Sequence, residues 1–186
     1  MEKSGLVLNP PDPLGDYLGC GQFPIHVDPV EAQRRLQHVH PLLEGTIDMT
    51  TAKVGRPVKA LRYDMFGFFQ QCIDVYCLHT KTDRSKLKKA ATPSVDDHAL
   101  TEEDHATPGI LEQDAAKIIM KMLYGAKLFR YELLWPICSI ARKVFKLVRA
   151  EYKRLFRLVS YIHGSLHHML ESFVGDLAHV CYVILY

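Results

Sequence analysis

The sequence predicts an α+β chain, with a central helical bundle, a short N-terminal β-hairpin and unpaired C-terminal strands. Three observations carry this. Residues 1–30 hold five prolines and four glycines between short apolar runs, a composition of strands and turns. Apolar residues then recur at threes and fours through much of the chain, the period of helices with one buried face. Finally, "HVCYVILY" at residues 179–186 is an unbroken β-branched and aromatic run, suited to a strand buried on both faces.

In chain order, "GDYLGCGQFPIHV" reads as a tight hairpin, with Gly15, Gly19 and Gly21 admitting positive φ. "DPVEAQRRLQHVHPLLEG" predicts a short helix capped by Asp28, begun at Pro29 and ended by Pro41. Val58, Leu61, Met65, Phe68, Phe69, Cys72, Ile73 and Tyr76 mark an amphipathic helix to about Leu78. From Thr80 to Gly109 the chain is polar, basic first and acidic later, and reads as an exposed linker. Helical periodicity returns at Ala115, Ile118, Ile119, Met122, Leu123 and Ala126. It continues at Ile137, Ile140, Ala141, Val144 and Val148 after Pro136, then at Tyr152, Leu155, Phe156 and Val159, with Gly164 as the C-terminal stop. In the last segment "HHMLESFVGD" alternates loosely before a Gly175-Asp176 turn.

The 186 residues are 48% apolar and 24% charged, enough to bury the core of one domain, and disorder throughout is excluded. Five cysteines (Cys20, Cys72, Cys77, Cys138, Cys181) without CxxC spacing argue against a disulfide framework or structural zinc, and point to a reducing compartment. No apolar run approaches the ~20 residues of a membrane span, and no secretory leader is recognisable. The expectation is an intracellular chain, with nothing to separate cytoplasm from nucleus.

Local chemistry is sparse. Asp96 and Asp97 are adjacent carboxylates of the kind that hold magnesium, but they lie in a polar loop between prolines, without flanking apolar strands to fix them. His98 and His105, beside Asp97 and Asp104, lack the restraint a metal site needs. His38, His40, His167 and His168 have no zinc-type spacing, and Cys72 lies on an apolar face as a packing residue. "GCGQFP" places Pro24 where a dinucleotide fingerprint needs glycine. No metal, cofactor or nucleotide is expected.

One charge pattern exceeds this background. Residues 142–157 carry net +6 in a chain of net +2, with Glu151 as the single acid. On a continuous helix, Arg142, Lys146, Arg149, Lys153 and Arg157 step by four, three, four and four. That forms a cationic stripe suited to a phosphate backbone, opposite Ile140, Val144, Val148, Leu155 and Val159. A helix boundary near Leu147 to Ala150 would split it. The alternative is an ordinary solvated basic face.

Several segments, in order, resemble reverse transcriptases of copia-type retrotransposons. "PPDPLGDYLGC" resembles the Leu-Gly strand of the primer-grip region, and "AATPSVDDH" the Thr-Pro of the linker before the helices. "MKMLYGAKLFRYELLWPICSIARKV" is similar to the Leu-Tyr helix and those that follow, and "KRLFRLVSYIHGSL" to a basic helix ending in Tyr-Leu-x-Gly-Thr. Tyr131-Glu132 departs from the Pro-Asp that follows the arginine in that family, which makes this a divergent copy.

The resemblance implies residues 1–50 as the end of a palm with a primer grip at Tyr17, Leu18 and Gly19, and 51–79 as an amphipathic helix. It implies 80–109 as linker, 110–165 as thumb and connection helices, and 166–186 as incomplete ribonuclease H-like strands. The family's polymerase aspartates precede the Leu-Gly strand, and its first ribonuclease H aspartate follows a strand like "HVCYVILY". The implied chain is therefore a retroelement fragment, not an enzyme alone and without catalytic residues. Its implied partners are a primer-template duplex, bound weakly and without regard to sequence, and the missing polymerase and ribonuclease H parts. The rival expectation is a helical protein-interaction module; a distant third is a metal-dependent hydrolase using the acidic loop.

Overall fold

A computed structural model describes residues 13–32, 34–35, 57–108, 114–144, 147–174 and 181–185. It is α+β, with a five-stranded antiparallel sheet in the order β1-β2-β3-β4-β5 beside a helical bundle. The strands are β1 (Asp16–Tyr17), β2 (Cys20–Val27), β3 (Val58–Asp64), β4 (Leu170–Val174) and β5 (Cys181–Leu185). The helices are α1 (Phe66–Thr80), α2 (Glu102–Ala106), α3 (Asp114–Leu128), α4 (Leu134–Ala141) and α5 (Arg149–Gly164).

The N-terminal hairpin forms as its glycines suggest, with Tyr17 opposite Cys20 across a two-residue turn. Both central residues have positive φ, Leu18 at 51° and Gly19 at 81°. That is the sign pattern of a type I′ turn, whose twist suits a right-handed strand pair. Of the glycines expected to need it, Gly19 alone uses a positive φ. Asp28 caps the following turn, its Oδ1 accepting from Val30 N–H at 2.9 Å. Residues 29–32 and 34–35 are helical, and the expected stop at Pro41 lies outside the described residues.

Two expectations are corrected. The helix read from Val58 begins at Phe66, and Val58–Asp64 is strand β3. "VKALRYD" satisfies both periods, because Val58 and Leu61 fit a helical step while Val58 and Ala60 fit an alternating one. Ladders on both sides decide, Val58 facing Val27 on β2 and Ala60 facing Phe173 on β4. Asp64 Oδ1 then accepts the Phe66 N–H at 2.7 Å and starts the helix.

The C-terminal strands are not unpaired: β4 runs against β3, and β5 against β4 with Leu170 opposite Leu185. The partner of β4 lies about a hundred residues upstream, a pairing no local pattern announces. The side chains of β5 lie outside the described ones, and with them the expectation of burial on both faces.

The main core joins α1, α3, α4 and α5 through Phe69, Tyr76, Ile118, Met122, Ile137, Ile140, Leu155 and Ile162, all nearly fully buried. At Gly125 α3 lies close against α1; a Cβ there would lie 2.8 Å from both Phe68 Cε1 and Phe69 Cζ. Arg130 is buried in the turn after α3. It donates to Ser165 O at 3.1 Å and Ser165 Oγ at 2.9 Å, pairs with Glu132, and sits over the Phe69 and Tyr161 rings. It thereby ties α3 to the end of α5. Among the described residues, no helix is long and apolar enough to cross a membrane.

Candidate nucleic-acid interface

The stripe expected from Arg142 to Arg157 is interrupted. Helix α4 ends at Ala141 and α5 begins at Arg149, with Val148 extended before it at ψ 173°. Ile140, Leu155 and Val159 are buried as expected, and Val144 packs at the core's edge. Arg142 is exposed at the turn after α4, while Lys146 lies outside the described residues. One continuous five-cation stripe is therefore corrected to a cation on one element and a separate set on the next.

The set on α5 is engaged by the polar segment before α3. Arg157 donates through Nε to Thr92 O at 3.0 Å and through Nη2 to Thr92 Oγ1 at 3.2 Å. Arg154 Nη2 meets Asp97 Oδ1 at 2.7 Å. Lys153 Nζ lies 2.6 Å from Asp104 Oδ2, and Arg149 lies 3.4 Å from Asp104 and 3.7 Å from Glu103. Residues 92–104 thus run antiparallel to α5, fastened at successive turns. Thr107 O accepts the Arg149 N–H at 2.9 Å, filling one of the donors a helix start leaves open.

The segment expected to be an exposed linker is exposed at most of its described residues, but it is fastened to α5 as a strap. Within it Leu87 and Ala90 are buried, and Asp104 is 2% exposed in a capping box with Thr101 at the start of α2. The Lys153 ammonium, helped by the Thr101 backbone, holds the Asp104 carboxyl down at about 2, from an ordinary 3.8. Arg154 likewise lowers Asp97.

Glu151, the lone acid of the basic run, is fully buried in the first turn of α5. Its Oε1 accepts from Lys143 Nζ and Arg154 Nη1, both at 2.8 Å. Its place beside the helix N-terminus suits a negative charge. In the sequence it stands out only as the single acid of the basic run, and its place in the N-terminal turn of that helix is the signal that marks it.

Asp97 and Asp104 face cations, and no group of three His, Cys, Asp or Glu able to hold an ion occurs among the described residues. Burial pushes the Cys72 thiol up to about 12, so it serves as packing. Between the strap and α4 a small groove of about 20 Å³ is lined by Pro93, Val95, Trp135, Pro136 and Arg154, too small for a ligand.

The residues expected as a primer grip are brought to a surface. Tyr17 and Leu18 are 66% and 62% exposed at the hairpin tip, and Gly19 lies over Phe68. Tyr124 of α3 donates from its hydroxyl to Leu18 O at 3.3 Å, and its ring stands 5.5 Å from that of Phe68. The tip is therefore docked on the junction of α1 and α3. No family model, curated protein or solved structure matches this chain.

Proposed function

We propose that this chain is a reverse-transcriptase-like fragment of a retroelement that handles nucleic acid without catalysing its synthesis, the hairpin tip serving as its grip. The observation carrying this reading is the backbone of Leu18. A leucine at φ 51° beside Gly19 at φ 81° occupies a position where asparagine or glycine costs less, and its exposed side chain gains little packing in return. Strain of this kind, roughly 1–3 kcal/mol, gathers where a function holds it. The ordered likeness to copia-type enzymes supplies the class.

Fluorescence anisotropy with a labelled primer-template duplex, alongside primer extension with magnesium, tests this. Salt-sensitive binding without extension is the expected result. Absence of binding at low salt, or genuine incorporation, overturns it.

One observation favours the rival, a protein-interaction module. Among the described residues, strand β5 ends the sheet with a partner on one side, an edge that can accept another chain's strand. Sedimentation that shows self-association while anisotropy shows no nucleic-acid binding would select it.

A further inference from the structure

We propose that the outward face of α3, continuous with the hairpin tip, is a binding surface for single-stranded nucleic acid. This rests on the reading of the chain as a nucleic-acid handler and names the form of ligand this surface takes.

The helix is two-sided. Ala115, Ile118, Ile119, Met122 and Ala126 are buried against the bundle. At 100° per residue, Lys117, Met120, Lys121, Tyr124, Lys127 and Leu128 fall on the opposite side, within an arc of about 120°. Cations and apolar groups alternate along it. Met120 is 59% exposed, Leu128 42% and Tyr124 36%.

The lysines are far less committed than the cations of α5. Lys117 reaches Asp114 only at 3.5 Å, and that carboxylate also faces His79 Nδ1 at 2.9 Å. Lys121 contacts the neutral Gln71 at 3.2 Å and lies over the Phe68 ring. Among the described residues, neither Lys121 nor Lys127 has an ion-pair partner. The face therefore presents positive charge that an anionic ligand completes.

The apolar half of the pattern selects the form of that anion. A duplex shows a protein mainly its phosphates and groove edges, and exposed tyrosine and methionine gain little from these. A single strand offers phosphates and base faces together, and base stacking on aromatic side chains is indifferent to sequence. Tyr124 connects the face to exposed Tyr17 through its bond to Leu18. Just past the end of α3, Tyr131, 42% exposed, donates to Leu128 O at 3.3 Å. The hairpin tip thus meets this face at Tyr124, with Lys117 and Lys121 on the N-terminal side of that contact and Lys127 and Tyr131 beyond it.

Anisotropy with labelled mixed-sequence DNA, single-stranded and as its duplex, across a salt series tests the proposal on the whole chain. The single strand binds more tightly. Lys117→Glu with Lys127→Glu flattens its salt slope by about 1.4, at ~0.7 per lost phosphate contact. Tyr17→Ala and Tyr131→Ala each weaken it roughly tenfold, while Lys59→Glu on β3 changes nothing. Far-ultraviolet circular dichroism verifies that each variant folds.

Tighter duplex binding would overturn the proposal and leave the functional reading standing. No binding of either form would overturn both and favour a protein partner. Single-strand binding indifferent to all four surface substitutions would overturn the assignment to this face.

Discussion

Lys153 Nζ lies 2.6 Å from Asp104 Oδ2, and this contact joins the acidic segment of the chain to the helix with its highest positive charge. Asp104 is almost wholly buried, accepts from the Thr101 N–H and also faces Arg149. The carboxylate is charged at neutral pH, since it is held near 2. Acid should therefore loosen the strap. A group whose folded value lies below its unfolded 3.8 contributes stability that is present above 3.8 and is lost as pH falls toward 2. Urea midpoints measured from pH 6 to 2 should fall chiefly in that window, and Asp104→Asn should flatten the fall. An unchanged acid profile in the variant would remove Asp104 from the account.

Gly125→Ala should destabilise, although alanine is the better helix former by about 1 kcal/mol. The added methyl would stand 2.8 Å from two phenylalanine rings, one of them buried, and overpacking costs about 1–3 kcal/mol. A net loss of about 1 kcal/mol lowers Tm by roughly 2–4 °C in a chain of this size. Thermal melts decide it, and a higher Tm would mean that α1 and α3 can move apart.

Leu18→Asn should raise stability by about 1 kcal/mol, because Asn-Gly suits two successive positive φ values better than Leu-Gly does. The same change should weaken nucleic-acid binding if the leucine is retained for contact. Denaturation and anisotropy on one preparation read both effects. A stabilised variant with unaltered binding would remove Leu18 from the interface.

Thiol accessibility follows burial. Cys138 is exposed and should react with a maleimide within the native state. Cys72, buried and raised to about 12, should react only on unfolding. Mass spectrometry of peptides after brief labelling distinguishes them, and early modification of Cys72 would contradict the packing of α1.

What was legible in the sequence was local. The Leu-Gly hairpin, the Asp28 cap, the buried face of α3 and the break near Val148 each have signals within a few residues. What was not legible depends on distant partners. "VKALRYD" becomes a strand because β2 and β4 flank it, and β4 finds β3 across most of the chain. The strap's attachment to α5 is not legible because composition records that Asp97 and Asp104 are charged but not what neutralises them. Opposite charge on the acidic segment and the basic run was the available hint. The exposed lysines of α3 are not legible because, spaced among apolar residues, they form no run in sequence and meet only on the folded helix.

Photocrosslinking tests the central claim most directly, because it reports contact rather than affinity. A single-stranded oligonucleotide carrying 4-thiouridine, irradiated with the intact chain and digested, should attach to peptides containing Tyr17 and Tyr124. Excess unlabelled single strand should suppress the yield. Crosslinks confined to β4 or β5, or none above an irradiated control lacking 4-thiouridine, would contradict the account.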